Sequence, residues 1–367
     1  MTKAAELAKM GEVLTNSQIG GRRNIVINGG MQVAQRGTSQ TNIGNSTGGG
    51  YFTLDRFTTI FTTSGIFTMT QTADGPSGFA NCLKLDCTTA DTSIAAGERF
   101  LLTQKIEGQD LQQLKKGTSD AEEFTVSFYV KGNASATYAL EIYDLDNNRQ
   151  ISKTFSVTTD WTRVTLTFPA DTTGAYDDDN AASIQMSIWL HGGATYTSGT
   201  LNSSAFAANT DANRAVGISS FFDSTDRTFF LTGVQLEVGS QATPFEHRSF
   251  GEELALCQRY HYRAGKAESA FTNFGQGWAV SATAASIQVP LPVEMRSEPS
   301  VSTNDVQISD DVNAAIDCTV VNVNAATGTR QLAVLEASVA SGATQYRSYS
   351  LRGSNNTASH VSLDAEL

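Results

Sequence analysis

The strongest constraint on this chain is a period-two alternation that recurs through its middle. In Phe124–Lys131, the residues Phe124, Val126, Phe128 and Val130 fall on one side and Thr125, Ser127, Tyr129 and Lys131 on the other. Successive side chains of a β-strand point to opposite faces, so this pattern predicts a strand with one buried face. Tyr138, Leu140 and Ile142 oppose Ala139, Glu141 and Tyr143 in the next run. Val164, Leu166 and Phe168 repeat the pattern after Trp161, and Ile184, Met186, Ile188 and Leu190 oppose Gln185, Ser187, Trp189 and His191. Short strands with turn residues between them indicate an antiparallel sandwich. The chain therefore reads as all-β, with residues 24–246 forming one jelly-roll β-sandwich.

Two helices are predicted beside the strands. Ala4, Leu7, Met10 and Leu14 follow helical spacing over residues 3–14, and Leu7, Met10 and Leu14 fit the seam of a short bundle of identical chains. A helix this short is marginal alone in water, which predicts partners for it. The second helix follows a closing strand in which Phe230, Thr232, Val234 and Leu236 alternate. Gly239, Ser240 and Pro244 break that strand, and Ser249-Phe-Gly-Glu252 fits a capping box. Phe250, Leu254 and Cys257 are expected on one stripe of this helix, with His261 continuing it. The resulting division is a helical anchor and linker (1–23), the sandwich (24–246), a hinge helix (247–263) and a second β-domain (264–367). In the last, strands are expected over 278–282, 286–291, 312–323, 330–339 and 346–352. Nearer the start, Ile25, Val26 and Ile27 read as a strand ended by Asn28-Gly-Gly30, and two strands flank Ser64-Gly65.

Composition enters where function is at issue. A net charge of −12 argues against a nucleic-acid face, which needs clustered Lys and Arg. No apolar run approaches the ~20 residues that span a bilayer. The start of the chain lacks a cationic and apolar signal sequence, so synthesis in a cytoplasm and delivery by assembly or lysis is expected. The four cysteines are expected as small buried hydrophobes, with Cys82 and Cys87 on opposite faces of one strand.

Gly233-Val-Gln-Leu-Glu-Val-Gly-Ser-x-Ala-Thr-Pro-Phe-Glu-x-Arg-Ser249, followed by Cys257-Gln-Arg-Tyr260, resembles the junction of many bacteriophage tail-fibre proteins. There it closes a jelly-roll module similar to carbohydrate-binding modules. Asn24-Ile-Val-Ile-Asn-Gly-Gly-Met-Gln-Val-Ala-Gln-Arg-Gly37 and Tyr51-Phe-Thr-Leu-Asp-Arg-Phe57 resemble the same proteins, and the likeness extends over roughly residues 1–300. It implies a structural virion protein of a tailed phage, made in the host cytoplasm: a homotrimeric tail fibre that contributes to host attachment. The N-terminal helix would then dock on other phage structural proteins. A head fibre or capsid decoration protein is the alternative, followed by a free polysaccharide-binding or depolymerising protein.

Signs of catalysis are few. None of His191, His247, His261 and His360 has zinc-ligand spacing to another His or Cys, and no Gly-x-Ser-x-Gly elbow is present. Glu122-Glu123 and Asp177-Asp-Asp179 read as loop charges. Asp144-x-Asp146-x-Asn148 resembles half of a calcium loop, but Arg149 stands where its glycine is needed and Phe155 where its bidentate Glu is needed; a hairpin turn explains it better. No enzyme, metal or cofactor is therefore expected. Tyr129, Glu141, Tyr143, Gln185, Trp189 and His191 would share one outward face if their strands are neighbours. Aromatic faces and polar neighbours suit sugars, protomer interfaces and ordinary surface alike, and the sequence leaves these open.

Overall fold

The computed structural model describes residues 23–44, 48–265 and 269–367, together with Lys3. The expected N-terminal seam of Leu7, Met10 and Leu14 lies outside them. The chain divides between Ser249 and Phe250 into two compact units, and both are all-β.

The first unit is a jelly-roll-like sandwich of two antiparallel sheets. One has six strands in the order β1 (Ser39–Ile43), β4 (Ile66–Thr72), β5 (Cys82–Thr89), β13 (Thr228–Val238), β7 (Phe124–Gly132) and β10 (Thr162–Phe168). The other has seven, in the order β12 (Ala207–Ala208), β9 (Arg149–Val157), β8 (Ala136–Asp144), β11 (Ala182–Gly192), β6 (Arg99–Glu107), β3 (Thr58–Thr62) and β2 (Gly50–Tyr51). Val126, Phe128 and Val130 of β7 and Leu140 and Ile142 of β8 meet in one core, as the alternation predicts. The outward positions differ from expectation. Thr125 and Ser127 are buried too, as is every residue from Ser183 to His191 on β11.

Irregular chain lying over both sheets explains this. Over the six-stranded sheet, Thr125 Oγ1 donates to Gly239 O at 2.7 Å and Arg163 donates to Thr243 O. Over the seven-stranded sheet, Tyr196 and Ala215 pack on Leu101, Ala139 and Trp189.

Ile25–Ile27 is not a ladder strand. β13 pairs with β5 only over Thr228–Leu231, so further along, that edge of β13 has free backbone groups. The opening segment satisfies them: Ile25 N donates to Leu236 O (3.0 Å) and Val234 N to Gly29 O (3.0 Å). Asn24 does the rest with its side chain, whose Nδ2 donates to Val234 O (3.1 Å) while its Oδ1 accepts from Leu236 N (3.1 Å). A Cβ on Gly29 would lie 2.0 Å from Val234 O, so only glycine permits this approach. The closing segment locks over it. Asn24 N donates to Glu246 Oε2 (2.6 Å), and Arg248 Nη1 donates to Val26 O (3.1 Å). Asn28 and Asp55 extend the network: Asn28 Nδ2 donates to Asp55 O (2.9 Å), and Gln35 N donates to Asp55 Oδ1 (3.0 Å). The three motifs are thus three parts of one hydrogen-bonded assembly.

The Asp144–Asn148 segment is the expected hairpin turn, with Asn148 at φ +51°. Its Asp144 carboxylate is buried against Lys116 Nζ at 2.7 Å. Lys116 also approaches Asp171 (3.3 Å), which Arg149 grips with Nε at 2.9 Å and Nη2 at 3.1 Å.

The second unit is a closed barrel in the order β15 (Asn273–Ser281), β16 (Ala284–Pro290), β20 (Leu332–Val339), β19 (Ile316–Val323), β18 (Val306–Ser309) and β21 (Ser348–Gly353). Beside it, β22 (His360–Asp364) lies between β14 (His261–Ala264) and β17 (Ser300–Asn304). The helix is shorter than the expected 247–263. It is α1 (Phe250–Gln258), and it belongs to this unit. Its buried residues are Glu253 and Cys257, whereas Phe250 is 56% exposed, Leu254 is partly exposed and His261 opens a strand. Of the expected stripe of Phe250, Leu254 and Cys257, continued by His261, Phe250 and Leu254 are corrected: Cys257 and His261 are buried, and the helix turns Glu253 and Cys257 inward. All four cysteines are free. Burial pushes the Cys82 and Cys87 thiols up to about 11 and Cys318 to about 12, so they are poor nucleophiles.

Asn24→Ala should destabilise the first unit by about 2–4 kcal/mol, because it strands a buried carbonyl and a buried amide; urea unfolding of wild type and variant measures this. Burial opposes ionisation of Asp171, but hydrogen bonds from Arg149 and Thr173 and the Lys116 charge together hold its carboxyl below its ordinary value. A depressed carboxyl gives stability that is complete above about pH 4 and is lost as pH falls through the lowered folded value. Thermal melts between about pH 6 and pH 2 should show a smaller acid-induced loss for Asp171→Asn than for wild type.

Candidate functional site

The six residues singled out from the alternation do not share a face. Tyr129 is on β7 of the six-stranded sheet, whereas Glu141, Tyr143, Gln185, Trp189 and His191 are on β8 and β11 of the other. Of this second group only Tyr143 is partly exposed. Trp189, Glu141 and His191 are fully buried and Gln185 is 9% exposed. Within its own chain, Trp189 is therefore open neither to a sugar nor to a second protomer.

These residues form an internal network instead. Trp189 Nε1 donates to Glu141 Oε2 at 2.9 Å, and Arg214 grips the same carboxylate with Nε at 2.7 Å and Nη2 at 2.9 Å. The guanidinium lies 5.0 Å from the Trp189 ring centre and 5.1 Å from that of Tyr143. Burial works against the Arg214 charge, but the bonds and charge of Glu141 and Asp211 outweigh it and keep the side chain cationic. Arg214 comes from the segment that crosses the sheet, so this pair fastens the cover to its floor. Gln185 Nε2 donates to Ser187 Oγ (3.1 Å), which bonds Thr103 Oγ1 (2.9 Å).

A second cluster surrounds His191. Its Nδ1 bonds Ser220 Oγ at 2.8 Å. Its Nε2 is buried without a hydrogen-bond partner, 3.6 Å from Glu98 Oε2. Asp91 completes a trio whose ligand atoms lie within 4.8 Å of one another. Burial pushes the imidazole pKa down, against the pull of both carboxylates.

The surface that does reach solvent is on the six-stranded sheet, around Tyr129. β13 bulges at Gly233, with φ +62°, and a Cβ there would lie 2.8 Å from Phe79 and 2.9 Å from Tyr129. The bare backbone is thus the floor for these two rings, whose centroids are 5.3 Å apart. Phe245 and His247 continue the cluster, 5.0 and 5.2 Å from Phe79, and Arg163 lies 5.9 Å from Tyr129. Beside them, Lys131 Nζ lies 5.4 Å from the Trp161 ring centre and pairs with Asp74 at 2.7 Å. Phe79, Tyr129, Trp161 and Phe245 are partly exposed and His247 is exposed. Partly exposed rings beside Lys, Arg, His and Asp give apolar faces with hydrogen-bonding groups at their margins. Of this set, only Tyr129 was marked by the strand pattern. Phe79, Phe245 and His247 are in loops, where no period points to a face.

No family model matches the sequence, and no curated protein matches it. Among solved structures, the chain is similar to a CBM4 structure (12% identity, 58% of this chain and 98% of that one, TM-score 0.29). It is also similar to TmCBM61 in complex with β-1,4-galactotriose (11% identity, 59% and 100%, TM-score 0.29). A third likeness is to the enzymatically active domain of tailspike protein 4 of bacteriophage CBA120 (14% identity, 59% and 21%, TM-score 0.30). At such identities and scores these likenesses decide nothing about what the chain binds.

Trp189→Ala should lower stability by about 3–5 kcal/mol through the cavity it leaves. Trp161→Ala, at a partly exposed site, should cost well under half of that. Denaturant unfolding of the two variants measures the difference, and equal losses would contradict the burial described.

Proposed function

We propose that the chain is a structural protein of a tailed-phage particle that binds host-surface glycan through the outer face of its six-stranded sheet. The observation that carries the glycan reading is the Phe79, Tyr129, Phe245 and His247 cluster, held open to solvent on the floor of Gly233. Ring faces take the C–H side of a sugar, and the flanking polar groups take its hydroxyls. The particle assignment rests on the resemblance of the opening and closing motifs to tail fibres. In the fold, hydrogen bonds join those motifs into one assembly. On this reading the protein is a homotrimer, made in the host cytoplasm and docked on other phage proteins by its N-terminal helix. It acts by adhesion and not by hydrolysis.

Phe79→Ala and His247→Ala should each weaken attachment of the purified protein to host cells by about fivefold or more, since one stacking ring contributes on the order of 1 kcal/mol and attachment is multivalent. Oligomer mass and melting temperature should change little. If both variants attach like wild type while still being incorporated into particles, the adhesive role fails and a head-fibre or decoration role takes its place.

A further inference from the structure

The cluster of Asp91, Glu98 and His191 has a charge balance that the sandwich itself does not explain. Asp91 and His191 are buried and Glu98 is only 12% exposed at its side chain, yet neither carboxylate is paired with a lysine or arginine among the described residues. Asp91 Oδ2 accepts from Thr63 Oγ1 (2.8 Å) and Ser64 N (2.9 Å), and Glu98 Oε2 accepts from Ala95 N (2.8 Å). These bonds orient both groups without cancelling their charge, and removing an uncompensated carboxylate from water is costly. The third member makes the imbalance specific. When Nδ1–H donates to Ser220 Oγ, the Nε2 lone pair faces the Glu98 carboxylate, with Asp91 in the same cluster. A cation held among the three groups satisfies that arrangement.

We propose that Asp91, Glu98 and His191 form a binding site for one divalent transition-metal ion of borderline softness, of which Zn²⁺ is the type. Two carboxylates balance a divalent charge. The neutral imidazole selects against Mg²⁺ and Ca²⁺, which prefer oxygen alone. The Nε2–Oε2 separation of 3.6 Å is close to the ~3.3 Å edge of a tetrahedron with bonds of about 2.0 Å, and a ligand atom of Asp91 lies within 4.8 Å of the other two. Ser220 has the outer-sphere role: its Oγ, which accepts from Phe222 N at 3.0 Å, can take the Nδ1 proton and so leave Nε2 to the ion. Three protein ligands leave a fourth position for water. The ion ties the connection between β5 and β6, which supplies both Asp91 and Glu98, to His191 near the end of β11. Its work is to hold the sandwich together, and it is independent of the glycan reading.

The test uses the full chain, stripped with a chelator and titrated with Zn²⁺, Mn²⁺, Ca²⁺ and Mg²⁺ by calorimetry and thermal melting. One equivalent of Zn²⁺ should bind. At a free concentration of about a hundred times Kd, the melting temperature should rise by about 5–10 °C, with smaller effects of Ca²⁺ and Mg²⁺. Co²⁺ substitution should give visible absorption bands that wild type shows and His191→Gln loses. Because His191 is buried, Glu98→Gln at the rim is the second variant; it should fold like the chelated wild type and lose the metal-dependent rise. Absence of binding in wild type overturns the proposal. So does a Zn²⁺ effect that survives in both variants, which would place the ion at another histidine. Tighter binding of Ca²⁺ than of Zn²⁺, unchanged in His191→Gln, also overturns it.

Discussion

A buried strand cannot leave backbone groups without partners, and the first unit is arranged around meeting that condition at β13. This strand sits inside the six-stranded sheet, but β5 leaves it after Leu231. A further regular strand would have filled the gap with repeating bonds. Here a non-repeating segment does so, with the amide of Asn24 standing in for a peptide group and Gly29 allowing backbone to approach backbone. The bulge at Gly233, the clamp from Glu246 and the support of Asn28 and Asp55 all follow from using an irregular neighbour. This accounts for the concentration of specific polar residues in the motifs at both ends of the sandwich.

The same economy governs the outer faces. Each sheet carries a covering segment, and each cover is fixed by a charged or polar grip: Arg214 on Glu141 above one sheet, Thr243 on Glu237 above the other, the latter with Oγ1 to Oε2 at 2.6 Å. Burying these charges is tolerable because each has a partner at bonding distance. On the six-stranded sheet, the rings of Phe79, Tyr129, Phe245 and His247 come to the surface where the cover ends.

The alternation in β7, β8, β10 and β11 is readable from residue order because each strand turns one face to a common core. The sheet to which a strand belongs is not. Tyr129 and Trp189 hold equivalent outward positions, yet they lie on different sheets, since adjacency depends on how long connections cross the sandwich. Segments such as 193–220 look like polar loops, and nothing local says that they lie flat on a sheet and bury it. Ile25–Ile27 has the composition of a strand but meets an edge already shaped by a bulge, so side chains take the place of the ladder. His191 was visible as a singular residue. Its companions Asp91 and Glu98 were not, because only the fold brings that connection against β11.

The closure at β13 also bears on the order in which the chain acquires its structure. Asn24 and Val234 are 210 residues apart in sequence, so their bond spans nearly the whole unit. Contacts of such separation form late, after loop-closure entropy has been overcome by nearer pairings. The opening segment is made before the rest of its sandwich, yet it has no place to settle until β13 has been made. Until then its apolar residues Ile25, Val26 and Ile27 are without their native cover, and the nascent sandwich carries an adhesive segment until its last strand is made.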